Sequence, residues 1–140
     1  MFSKACEYAL KIMIYLCTQE EGKLAGLRDI SAANGSPEAY TAKILQQLVK
    51  SGLLHSLRGP TGGFKVSDRP ITLLEVVVAI DGESIVKDCV LGLRECSSAR
   101  PCPVHDKFVA IRDHLKGVLT TTKLTDIRSG VIEGKHFLKL

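Results

Sequence analysis

Between residues 27 and 66 two short helical patterns are joined by Asn34-Gly35 and followed at once by a glycine-rich hairpin signal, an order that few folds accommodate. The first segment, Leu27–Ala33, places Leu27 and Ile30 inward and stops at Asn34-Gly35, a strong turn signal. The second reads SPEAYTAKILQQLVKSG. Ser36 suits the N-cap, Pro37 the first helical position and Gly52 the close. On a helical wheel Thr41, Ile44, Leu45, Leu48 and Val49 share one side, and Ser36, Ala39, Tyr40, Lys43, Gln46, Gln47 and Lys50 the other. This is a helix-turn-helix pattern with a polar outer face. Leu53-Leu54 then opens an extended stretch, Gly59-Pro60 and Gly62-Gly63 make a turn, and Phe64 and Val66 alternate on the return strand. A hairpin in that position is a wing.

The flanking segments are helical. Ser3 caps a first helix whose Cys6, Ala9, Leu10, Met13, Leu16 and Cys17 form an apolar stripe. Tyr8, Ile12 and Tyr15 add a second apolar side, and Cys6 and Cys17 are expected in the core. After Pro70, ITLLEVVVAID is an apolar helix ending at Asp81-Gly82. Pro103 precedes a long helix in which Val104, Phe108, Ile111, Leu115 and Val118 follow a heptad-like seam. The expected fold is therefore mainly α with a small β-wing, a winged helix-turn-helix plus a long C-terminal dimerisation helix. The expected units are residues 1–82 for DNA binding, 83–103 as a sensor loop, 104–126 for dimerisation and 127–140 as a tail.

The polar face of the second helix offers Ser36, Ala39, Tyr40, Lys43 and Gln47 to base edges and phosphates in a major groove. In the wing, Arg58 and Thr61 flank the turn, and an arginine there suits the negative potential of a minor groove. A seam pairing with a second copy sets two recognition helices on a palindromic site. The formal net charge of +4 is compatible with a nucleic-acid partner. No apolar run approaches the ~18–20 residues of a membrane span, and the N-terminus carries no cleavage pattern. A cytoplasmic homodimer that binds double-stranded DNA and no membrane is expected. No nucleophile–base set, GxxxxGK loop or paired carboxylates are present, so an enzyme is not.

The loop between wing and seam, CVLGLRECSSARPCPVH, holds three of the five cysteines in the spacing Cys-x6-Cys-x5-Cys-x2-His. Structural zinc sites use tighter knuckles, although Cys3His is an allowed zinc set. Widely spaced thiols on one loop suit an iron–sulfur cluster. Cys102 precedes a helix N-terminus, where the dipole favours a thiolate. His105 is the nearby fourth donor, or else an exposed first-turn histidine.

These residues resemble the Rrf-two family of winged-helix transcription regulators, with its IscR-like and NsrR-like branches. The resemblance rests on Tyr8-Ala9, LRDISAANGSPEAYTAKILQQLVKSGLL, RGPTGGF at 58–64, EVVVAIDG and the three loop cysteines. It implies that Cys89, Cys96 and Cys102 hold a [2Fe–2S] or [4Fe–4S] cluster, with either His105 of C-x2-H or Glu7 from a partner subunit as fourth ligand. It implies a repressor sensing redox state, nitric oxide or iron–sulfur status. Members without a cluster sense thiol state instead. Two departures stand: six residues rather than five separate the first two cysteines, and Ala42 replaces a glutamate of the recognition helix.

Overall fold

The computed structural model describes residues 1–138, and the chain begins with helix α1, Lys4–Cys17. Ser3 caps it, its hydroxyl accepting from the Cys6 amide at 3.1 Å. Ser3 is in turn held by Asp81, whose carboxylate accepts from the Ser3 amide at 3.0 Å and from its hydroxyl. Of the predicted apolar stripe Cys6, Ala9, Met13 and Leu16 are buried, Leu10 and Cys17 are half-buried against the core, and Ile12 of the second side is sealed from solvent.

Helix α2, Leu27–Asn34, ends on Gly35 in the left-handed conformation. Helix α3 runs Glu38–Lys50 with Thr41, Ile44, Leu45 and Leu48 buried. The strands β1, Leu54–Leu57, and β2, Gly63–Val66, pair antiparallel with Leu54 opposite Val66 and Leu57 opposite Gly63. The wing is also tied back to the chain before α2, because Ala25 and Phe64 exchange amide bonds of 3.0 and 2.8 Å. That approach requires glycine at 63: φ is +151°, and a Cβ there would lie 2.6 Å from the Ala25 carbonyl oxygen.

Helix α4, Leu73–Asp81, starts with a capping box. The Thr72 hydroxyl accepts from the Glu75 amide at 3.3 Å, and the Glu75 carboxylate accepts from the Thr72 amide at 2.9 Å. Such a cap contributes about 1 kcal/mol. These bonds and the adjacent Arg69 guanidinium hold the Glu75 carboxyl below its usual range, against the opposing effect of partial burial. The main core joins α1, α3 and α4 through Ile12, Met13, Ile44, Leu45, Leu48 and Val76.

The loop after α4 opens with one helical turn, α5, Ser84–Lys87. Helix α6 follows over His105–Thr121 and rests on α4 and α5. The single helix expected over 104–126 is divided. Thr120, Thr121 and Thr122 each donate a hydroxyl bond to the carbonyl four residues back, a local competition that weakens a helix. The chain then turns extended and pairs with the start of α4: Leu73 N–H donates to Thr122 O at 3.0 Å and Leu124 N–H to Ile71 O at 2.9 Å. Residues expected as tail belong to a further helix, α7, Leu124–Ile132, which packs on α1. Its Leu124 is in the main core, and Arg128 Nε donates to the Cys17 carbonyl at 2.8 Å.

Candidate functional site

The outer face of α3 is set by its buried one. Burying Thr41, Ile44, Leu45 and Leu48 leaves Ala39, Lys43, Gln46, Gln47 and Lys50 exposed along one side. Tyr40 is half-buried, its ring packed T-shaped against Tyr8 at 5.6 Å between ring centroids. Arg58 and Thr61 are exposed at the wing tip. Ser36 departs from expectation. Helix α3 begins one residue later than its signals indicate, with Pro37 as N-cap, and Ser36 is only 7% exposed. Its hydroxyl pairs with that of Thr41 at 2.6 Å, and its carbonyl accepts from the Ser31 hydroxyl. Ser36 fixes the turn between the two helices and offers nothing to a groove.

The loop cysteines and His105 come together. Cys89 Sγ lies 3.7 Å from Cys102 Sγ, and Cys96 Sγ lies 3.4 Å from His105 Nδ1. All four line one open pocket of about 380 Å³ together with Ile85, Phe108 and Arg112. His105 is in the first turn of α6 and buried. Cys102 is seated at that helix start, its carbonyl accepting from the His105 amide at 3.0 Å. The Leu91 amide above all holds the Cys89 thiol below its ordinary pKa, with the Leu93 amide, Cys102 and Arg112 adding to the effect against burial. Among the described residues no three His, Cys, Asp or Glu side chains converge on one point; the donors stand as two pairs. Two thiolates on one tetrahedral metal, with bonds of about 2.3 Å, sit about 3.8 Å apart. Each pair therefore has the spacing of two ligands on one metal, and three thiols with an imidazole are a donor set an iron–sulfur group can take.

Arg112 is a member of this pocket that sequence reasoning missed. It lies seven residues after His105, close to two full helical turns, so both project from the same side of α6. That spacing was the available signal. Its Nη1 donates to the carbonyls of Lys87 and Asp88, both at 3.3 Å, immediately before Cys89.

A family model described as an iron-dependent transcriptional regulator, Rrf2, matches residues 2–129. The chain belongs to the Rrf2 family. It is 30% identical over 122 residues to the HTH-type transcriptional regulator IscR of Escherichia coli O9:H4 (strain HS), covering 86% of this chain and 75% of that one. Among solved structures it is similar to CymR, the global cysteine regulator of B. subtilis. There the TM-score is 0.77 at 29% identity, over 92% of this chain and 96% of the other. IscR of T. potens shares the fold at a TM-score of 0.75 and 20% identity, over 98% and 92% of the chains. The protein is thus a DNA-binding transcriptional regulator and not an enzyme.

Two further features of this Rrf2 protein bear on assembly. Along α6, Phe108, Ile111 and Val118 are 42%, 63% and 45% exposed, while Leu115 leans inward on the cluster of Cys6, Val77, Val86 and Leu119. Val90, Leu91 and Leu93 of the loop are exposed as well. Glu7 is not in the pocket of its own chain. It is exposed on α1 and pairs with Lys4 at 3.2 Å, while Lys11 sits over the Tyr8 ring at 4.4 Å from the centroid. No helix among the described residues is long and apolar enough to cross a membrane.

Proposed function

We propose that this regulator is a homodimeric repressor, acting in the cytoplasm on a palindromic operator, whose grip on DNA is set by an iron–sulfur cluster. Cys89, Cys96, Cys102 and His105 would hold it. The observation that carries the reading is the two-by-two arrangement of three thiols and one imidazole in a single pocket. Two pairs with single-metal spacing favour a [2Fe–2S] over a [4Fe–4S] cluster. When bound, the cluster supplies a one-electron couple that also reacts with oxidants and nitric oxide.

The chain's own residues carry the response outward. The cysteine loop packs on α6, and α6 presents the apolar seam Phe108, Ile111 and Val118 to a second copy. A change in the loop tilts α6 against its twin and so changes the spacing of the two α3 helices. Ala39, Tyr40, Lys43 and Gln47 then face bases and phosphates of the major groove, and Arg58 and Thr61 the flanking minor groove.

The test is anaerobic purification with iron supplied, followed by iron and sulfide assay and visible spectroscopy. Iron and sulfide in equal amounts with charge-transfer bands in the visible support the reading. A colourless protein without sulfide contradicts it.

The 3.7 Å approach of Cys89 to Cys102 favours a second reading, a cluster-free thiol switch. Mild oxidation of the iron-free protein would then join these two sulfurs in a disulfide, the oxidant taking up two electrons and both thiol protons being released. Peptide mapping that finds this linkage, together with lost or gained DNA binding, supports the switch.

A further inference from the structure

The Arg112 side chain is mostly buried, at 19% exposure, beside the cysteine sulfurs, and its Nε is sealed from solvent without a hydrogen-bond partner. The nearest carboxylate, Asp113, is 4.0 Å from Nε and largely exposed. A buried guanidinium donor left unpaired costs free energy, so such a group is kept where something satisfies it. The other end of the fork is committed, since Nη1 grips the Lys87 and Asp88 carbonyls. Cys96, with its sulfur beside the guanidinium, and then Asp113 and Cys89, hold the Arg112 pKa above its ordinary value, opposed by burial. Arg112 thus grips the backbone leading into Cys89 and lines the same pocket as Cys96.

Building on the cluster reading, we propose that Arg112 is the positioning residue of the cysteine pocket. It anchors the Cys89 arm through two carbonyls and turns its buried Nε–H and positive charge toward the sulfurs of the bound cluster. Three thiolates and the sulfides of a bound cluster would concentrate negative charge in a partly desolvated pocket, where a fixed cation acts strongly. Reduction adds one electron from the external reductant and deepens that charge. Arg112 therefore raises the reduction potential. The planar fork is needed for the anchor, and lysine supplies only the charge.

The experiment compares cluster-loaded wild type, Arg112→Gln and Arg112→Lys in anaerobic redox titrations followed by visible circular dichroism. The expected result is a potential shifted to more negative values in Arg112→Gln and restored toward wild type in Arg112→Lys. Both variants should lose the cluster several-fold faster than wild type to an added chelator. If Arg112→Gln does not fold, Arg112→Lys alone must keep the potential while losing the cluster faster. Wild-type potential and wild-type retention in the loaded variants overturn the proposal. A wild type that takes up no iron and sulfide on reconstitution overturns the cluster reading itself, and with it this role.

Discussion

Cys96 Sγ lies 3.4 Å from His105 Nδ1, so one contact joins the middle of the sensor loop to the first turn of the seam helix. The loop's second pair, Cys89 with Cys102, closes its two ends on each other. The residue 89–105 loop and the start of α6 therefore meet at the sulfurs.

His105→Ala removes the donor paired with Cys96. The expected outcome is a changed visible spectrum and faster cluster loss, with Glu7→Ala spectrally silent. A spectrum altered by Glu7→Ala and untouched by His105→Ala would place the fourth ligand on the partner subunit.

Ile111→Glu sets a charge on the most exposed position of the seam. Burying an unpaired carboxylate at a dimer contact costs about 2 kcal/mol or more, so dimer dissociation should strengthen at least roughly 30-fold. Sedimentation velocity measures this, with circular dichroism expected to show an unchanged helix content.

Lys43→Ala and Arg58→Ala each remove one cation from the DNA-facing surface. Each substitution is expected to lower the slope of log affinity against log salt by about 1 per protomer. Ser36→Ala should leave that slope unchanged and instead destabilise the fold by about 1 kcal/mol, since the Ser36 hydroxyl is spent on Thr41. Binding titrations across salt and urea unfolding separate the two effects.

Burial pushes the Cys6 thiol from its ordinary 9.0 to about 12, with Asp81 adding to the shift, and the Cys17 thiol to about 11. Both remain protonated when folded while the unfolded chain ionises from pH 9 upward. The folded state binds more protons in that window, so stability is full below pH 9 and falls as pH rises toward 12. Cys6→Ala should start less stable, by about 1 kcal/mol for the small cavity, and should lose less stability between pH 9 and 11. Urea midpoints at several pH values check this.

Local signals were enough for most of the fold. Asn34-Gly35 and the glycines of RGPTGGF each demand a backbone geometry that the chain adopts, and the apolar stripe of α1 is buried as its period indicates. Ser36 was misplaced because N-cap chemistry looks the same whether a hydroxyl caps its own helix or reaches Thr41. Helix α7 was missed because its reasons are non-local: the threonine run at 120–122 ends α6 only where residues 71–73 await the extended strand. At the site, the three loop cysteines and His105 were legible as a group, and the fold brings them into one pocket. Arg112 was not, since its role arises from carbonyls 24 and 25 residues away.

On the proposed reading, a cluster held by Cys89, Cys96, Cys102 and His105 governs DNA binding. The most direct test is anaerobic binding by the cluster-loaded and iron-free forms of one preparation, at equal salt, to a double-stranded site selected from a random pool. Affinities are expected to differ at least tenfold, with the difference abolished in Cys96→Ala. Equal affinities for the loaded and iron-free forms would contradict the reading.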